Sequence, residues 1–172
     1  METSITTSQK NTAAIIHLSV FSQFIFPLGN FIAPLIIWGA LKRDSLFVDN
    51  HGRRALNFQM STFIYAIGII FLAIPFLIWQ GVKLAGDNRY IDGEVFEHFP
   101  FPFPREASGL IITAIIFAVI LLALFVITFF SVISAAVSAS NGEEYKYPLT
   151  INFLKPLSVS ESETTSASSS EV

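Results

Sequence analysis

Three histidines are the only side chains in this chain that titrate near neutral pH, and each has a different setting. His51 follows Asp49 in VDNHGRRALNF, and His98 follows Glu94 and Glu97 in GEVFEHFPFPFPR. Both sets offer nitrogen and carboxylate donors of the kind that bind a divalent cation, but neither has the spacing of a familiar metal motif. Ordinary solvent-exposed side chains are the stronger reading of both. His17 differs, because it is the histidine set well inside an apolar run, NTAAIIHLSVFSQF, where an ionisable group is costly. It lacks a second intramembrane histidine to complete a bis-histidine haem and a neighbouring carboxylate to build a proton relay. The reading is therefore a packing or hydrogen-bonding residue near a membrane interface. There is no cysteine, which removes thiol nucleophiles, disulfides and cysteine-ligated metals. Intramembrane hydrolysis would need a nucleophile beside a base or paired carboxylates, and the apolar segments that follow supply no such pair. No enzyme, cofactor or metal site is expected.

The other polar residues that stand out are amides and arginines. Gln23, Asn30, Asn57, Gln59 and Ser61 lie in or beside apolar stretches and have two readings: bonds between helices, or the lining of a small pathway. Arg53 and Arg54 stand at the start of RALNFQMSTFIYAIG, where they suit headgroup phosphates and fix orientation. Asn57 sits one turn farther in. A buried amide there is expensive unless paired, and the broken first segment near Asn30 is the expected partner.

These residues are carried by an all-α integral membrane protein. The chain has 172 residues, 52% of them apolar, only 13% charged, and a mean hydropathy of +0.61, outside the range of soluble domains. Residues 11 to 41, 55 to 82 and 107 to 142 carry no Lys, Arg, Asp or Glu, and each run exceeds the roughly 20 residues that a crossing helix needs. The first of these three long hydrophobic regions is broken at Pro27 to Asn30 and again at Pro34. It is either one kinked crossing or two half-helices in a re-entrant hairpin. The second helix is expected to start at an Asp49 or Asn50 cap, to carry a polar stripe (Asn50, Arg53 or Arg54, Asn57, Ser61), and to end near Trp79. The third begins near Ala107 and stops at Asn141-Gly142. Ser131, Ala135 and Ala139, four residues apart, allow close helix approach within the protein or between subunits.

Outside the helices, residues 1 to 11 form a polar lead without the features of a secretory signal peptide. The membrane domain covers 12 to 153, with interfacial connections at 42 to 54 and 83 to 105. YPLTINFL after the last helix suits a short strand or an interface-hugging strip, and 154 to 172 read as a disordered acidic Ser/Thr-rich tail. Lys42, Arg43, Arg53 and Arg54 crowd the first connection, so that side and the C-terminus are expected in the cytoplasm of a bacterial inner membrane. No basic tract or nucleic-acid module is present.

The stretches HLSVFSQF, PLGNFIAPLIIWGALKRDSLFVDNHGRRALNFQMS and AVSASNGEEYKYPLTINF together resemble a bacterial family of small membrane proteins of unknown function. That family is similar to the twenty-kilodalton Tic component of chloroplast inner-envelope protein import. Positions that carry the resemblance include His17, Pro27, Trp38, His51, Asn57, Gln59, Asn141, Gly142 and Tyr147. The resemblance implies a multi-helix membrane domain with a part in transport or assembly and brings no catalytic residue with it. The expected function is a membrane structural or assembly subunit. The alternative is a channel or protein-transport component, acting as a homo-oligomer or within a larger complex in the lipid bilayer.

Overall fold

A computed structural model describes residues 5 to 43, 45 to 85 and 105 to 155. The chain divides into two compact units, one of residues 1 to 63 with 127 to 172, the other of residues 64 to 126. The described residues form four α-helices and one 3-10 helix, with no strand among them.

In the first unit, α1 (Thr7–Leu18) opens on a capping box: Thr6 Oγ1 accepts from the Gln9 amide at 3.3 Å, and Gln9 Oε1 accepts from the Thr6 amide at 2.9 Å. Ala13, Ile16, His17 and Val20 recur at helical spacing and are buried. The chain tightens into a 3-10 helix, Ser19–Phe24, and turns through Leu28, which adopts a left-handed conformation (φ 60°). α2 (Gly29–Leu41) then runs back along the incoming arm. Gly29 is required at the bend, since a Cβ there would lie 2.5 Å from the Ser22 main chain. At the other end of the hairpin, Ile37, Trp38 and Leu41 pack on a cluster of Ile16, Val48 and Ala55. The break expected at Pro27 to Asn30 is present, and it produces this folded-back pair rather than a single kinked helix.

α3 (Leu46–Ala85) starts earlier than the Asp49 or Asn50 cap expected from sequence. Ser45 fills that role, its Oγ accepting from the Phe47 amide at 3.1 Å. Asp49 is occupied instead by Trp38, whose Nε1 donates to Oδ1 at 2.7 Å, and by Arg53 at 3.0 Å. The first four turns of α3 are enclosed on several sides. Val48 and Ala55 face α2, while Phe58 joins Val20, Val132, Ala135 and Tyr147 in a second cluster. α4 (Arg105–Asn141) contributes Ser131, Val132, Ala135, Ala136 and Ala139 to this interior. The small-residue row therefore serves close packing inside the unit. α4 ends in a Schellman motif: the Glu143 amide bonds to Ser138 O, the Gly142 amide to Ala139 O, and Gly142 takes the left-handed turn at φ 86°.

The second unit consists of the α3 segment from Ile64 and the α4 segment up to Val126. Its apolar side chains face outward: Phe71 is 76% exposed, and Leu72, Ile78, Val82 and Leu122 are exposed as well. An aqueous domain would bury them, so the surface is matched to lipid. A polar bridge, Gln80 Nε2 to Thr113 Oγ1 at 2.8 Å, links the helices where hydrocarbon offers a polar group no other partner. Two helices, Leu46–Leu84 and Ala107–Asn141, are long and apolar enough to cross a membrane. The first hydrophobic region, left open by the sequence between a kinked crossing and two half-helices, is a hairpin whose α2 has only 13 residues. The expected connection at 83 to 105 lies mostly, and the tail from 156 wholly, outside the described residues.

Candidate functional site

The buried polar residues of the first unit converge on the start of α3. Position 51 points toward α1, and His51 Nδ1 lies 2.8 Å from His17 Nε2. The other His17 nitrogen, Nδ1, lies 2.8 Å from the Tyr147 hydroxyl. Tyr147 stacks on Phe58 at 4.2 Å between ring centroids and meets Tyr145 edge-on. A continuous chain, Tyr147 to His17 to His51, thus connects three segments far apart in sequence. His51 is 1% exposed, a correction to the solvent-exposed reading of this residue. The polar neighbours Asn50 and Arg53 disguise it, because the helix is covered on more sides than its amphipathic pattern suggests.

The polarity of the chain follows from counting orphans. If Tyr147 donates to His17 and His17 to His51, the chain ends at the His51 Nε2 proton, which is directed at the Glu143 main chain without a well-formed bond. The reverse direction strands both that nitrogen and the Tyr147 proton, so the first assignment is favoured. Burial, with His51 and the Arg54 charge adding to it, lowers the His17 pKa to about 3, so that His17 is neutral at physiological pH. Burial pushes the Tyr147 hydroxyl well above its ordinary value, and Tyr145 adds to the shift.

One turn along α3, Asn57 exchanges two bonds with the main chain of Leu154, Nδ2 to O at 2.7 Å and Leu154 N to Oδ1 at 2.8 Å. Ser61 donates to Asn57 O at 2.7 Å and accepts from the Ile151 amide at 2.8 Å. Arg54 Nη1 donates to Tyr145 O at 3.0 Å, and its Nη2 pairs with Glu144 at 2.6 Å. Arg53 reaches Lys155 O at 3.3 Å. The polar stripe read from the sequence is therefore a rail that holds the segment after α4, residues 143 to 155, against α3. That segment is an irregular strip, with a turn at Pro148 and Leu149 and no strand ladder. Asn30, expected to meet Asn57, instead donates to Gln59 Oε1 at 3.2 Å. Gln59 points toward the hairpin and Asn57 toward the strip, as two residues two apart on a helix must.

Among the described residues no three His, Asp or Glu side chains gather as a metal-ligand set. The second candidate set from the sequence, Glu94, Glu97 and His98, lies outside the described residues. The nitrogens that face each other at His17 and His51 are spent on one another. Sequence reasoning misses the pairing of Trp38 with Asp49, and it misses the strip's main chain as the partner of the rail.

This junction draws on residues from His17 to Lys155, and the sequence matches a family over almost the same range. The matched family is described as the magnetosome magnetite crystal formation protein family, and the match covers residues 8 to 154. The chain belongs to that family. Family membership agrees with the bacterial membrane family that the sequence resembles, and the matched range takes in the hairpin, both long helices and the strip. No curated protein and no solved structure matches the chain.

Proposed function

We propose that this chain is a non-enzymatic structural or assembly subunit of a bacterial membrane, serving the magnetosome magnetite crystal formation that its family's description names. The observation that carries this reading is the use made of the rail. Arg53, Arg54, Asn57 and Ser61 all bond to the protein's own strip, and Gln59 bonds to the hairpin. Apart from the Gln59 amide nitrogen, which is buried without a bond, these side chains are spent on internal bonds and build a fixed headpiece. A pathway would need some of them turned toward a permeant.

The hairpin is re-entrant in this reading. Its tip is apolar and outward-facing, with Phe24 at 65% and Ile25 at 84% exposure, and α2 turns Ile32, Leu35 and Ile36 outward. Lys42, Arg43, Arg53 and Arg54 all belong to the first unit, as does the strip, which supports a cytoplasmic headpiece and C-terminus.

The chain tagged and purified from its host in mild detergent should carry a reproducible set of membrane proteins. In a magnetite-forming bacterium, deletion should alter crystal size or shape while membrane vesicles persist. Unchanged crystals would remove the mineral role. Solute flux through liposomes holding the pure protein, altered by exchange of Asn57 or Gln59, would replace the assembly reading with a channel.

A further inference from the structure

Beside the rail the strip leaves a half-open cavity of about 240 Å³, lined by Arg54, Tyr145, Lys146, Tyr147, Thr150 and Asn152. We infer that this cavity binds the phosphate of an anionic phospholipid, with Lys146 and the free donors of Arg54 as its charged ligands. The inference rests on the membrane placement proposed above and goes beyond it in naming a ligand.

Arg54 is already positioned. Its bonds to Tyr145 O and Glu144 occupy two of its five N–H groups and hold the guanidinium at the cavity wall, leaving donors to spare. Lys146 is exposed on the same wall and makes no ion pair among the described residues. The Asn152 amide adds neutral donors of the kind that complete a phosphate site, and the Thr150 hydroxyl, held to Pro148 O only by a long 3.5 Å contact, adds another when it turns to the cavity. The same strip also distinguishes a lipid from free phosphate. Its residues Leu149, Ile151 and Phe153 are 60%, 41% and 44% exposed, so the strip that lines the polar niche also carries an exposed apolar edge. A headgroup bound in the niche has its acyl chains beside that edge; inorganic phosphate has no use for it.

Leu149 supplies an independent sign. It stands at φ 55°, a left-handed conformation that strains a branched side chain and that glycine would adopt freely. A strained, outward-pointing leucine makes sense where its side chain has something apolar to touch.

Native mass spectrometry of the full chain in non-ionic detergent tests the site, with dioleoyl phosphatidylglycerol, dioleoyl phosphatidylcholine and inorganic phosphate as probes. Phosphatidylglycerol should be retained stoichiometrically and several-fold over phosphatidylcholine. Lys146→Gln and Thr150→Val should each reduce that retention several-fold with the thermal midpoint unchanged. Leu149→Gly should reduce it while leaving the midpoint equal or higher, which a merely structural leucine would not do. Equal retention of both lipids, or retention indifferent to Lys146, overturns the site. Full displacement by millimolar inorganic phosphate overturns the lipid assignment. Loss of lipid selectivity in a protein that still carries its membrane partners counts against this inference alone.

Discussion

Asn57 pairs with the main chain of Leu154 as one strand pairs with another, its side-chain amide donating to the carbonyl and accepting from the N–H of the same residue. A single side chain thereby clamps the far end of the strip. Asn57→Ala removes both bonds from a fully buried site, and a cost of about 2 to 3 kcal/mol is expected. The loss is limited by release of the strip, whose main chain can then bond to water. Thermal unfolding in detergent should show the destabilisation, and limited proteolysis should cut between Gly142 and Lys155 faster than in the parent.

Acid should weaken the headpiece. His17 has a folded pKa of about 3 against an ordinary 6.5, so protons bind the unfolded chain more readily. The stabilisation is complete above the unfolded value and is lost as pH falls from about 6.5 toward 3, at up to about 1.4 kcal/mol per pH unit. The groups that face it are His51, Arg54 and Tyr147. The thermal midpoint of the parent should drop between about pH 7 and pH 5, and His17→Gln should flatten that slope while lowering the midpoint at neutral pH. A parallel slope in the variant would assign the acid sensitivity elsewhere.

Gly52 lies under the Trp38 indole, and a Cβ there would overlap the ring. Gly52→Ala must displace Trp38 and break its bond to Asp49, with a cost of about 1 to 3 kcal/mol. With Trp79 replaced by phenylalanine, Trp38 fluorescence should shift toward the red. An unshifted spectrum with unchanged stability would contradict the packing described.

Ala135 is fully buried between Phe58, Val132 and Tyr147. Ala135→Leu should lower stability by about 1 to 3 kcal/mol through overpacking. Light scattering in detergent should give the same oligomeric state for parent and variant. A change in assembly with stability intact would return the small-residue row to a role between subunits.

Much of the scaffold is legible in the sequence because its causes are local. Charge-free runs mark α3 and α4, Pro27 and Gly29 mark the hairpin bend, and Asn141-Gly142 marks the stop of α4. The polar stripe is visible too, since Asn57 and Ser61 are conspicuous among apolar neighbours. Its partner is not. The rail bonds to the main chain of Tyr145, Ile151, Leu154 and Lys155, and backbone groups leave no trace in residue type. His51 is misread for a related reason, because amphipathic patterning anticipates one buried face and cannot foresee a helix enclosed by three elements.

The bond between His17 and Tyr147 joins residues 130 positions apart. During synthesis α1 and the hairpin leave the ribosome long before the residue that completes their polar interior. Both long helices must be inserted before Tyr147 and the strip exist to close it. Until then His17, Asn57 and Ser61 lack the partners that the strip supplies, while the hairpin is already held against α3 by the Trp38–Asp49 and Asn30–Gln59 bonds. Completion of the headpiece therefore waits on both long helices, and shortening the strip would leave them in place beneath an unfinished headpiece.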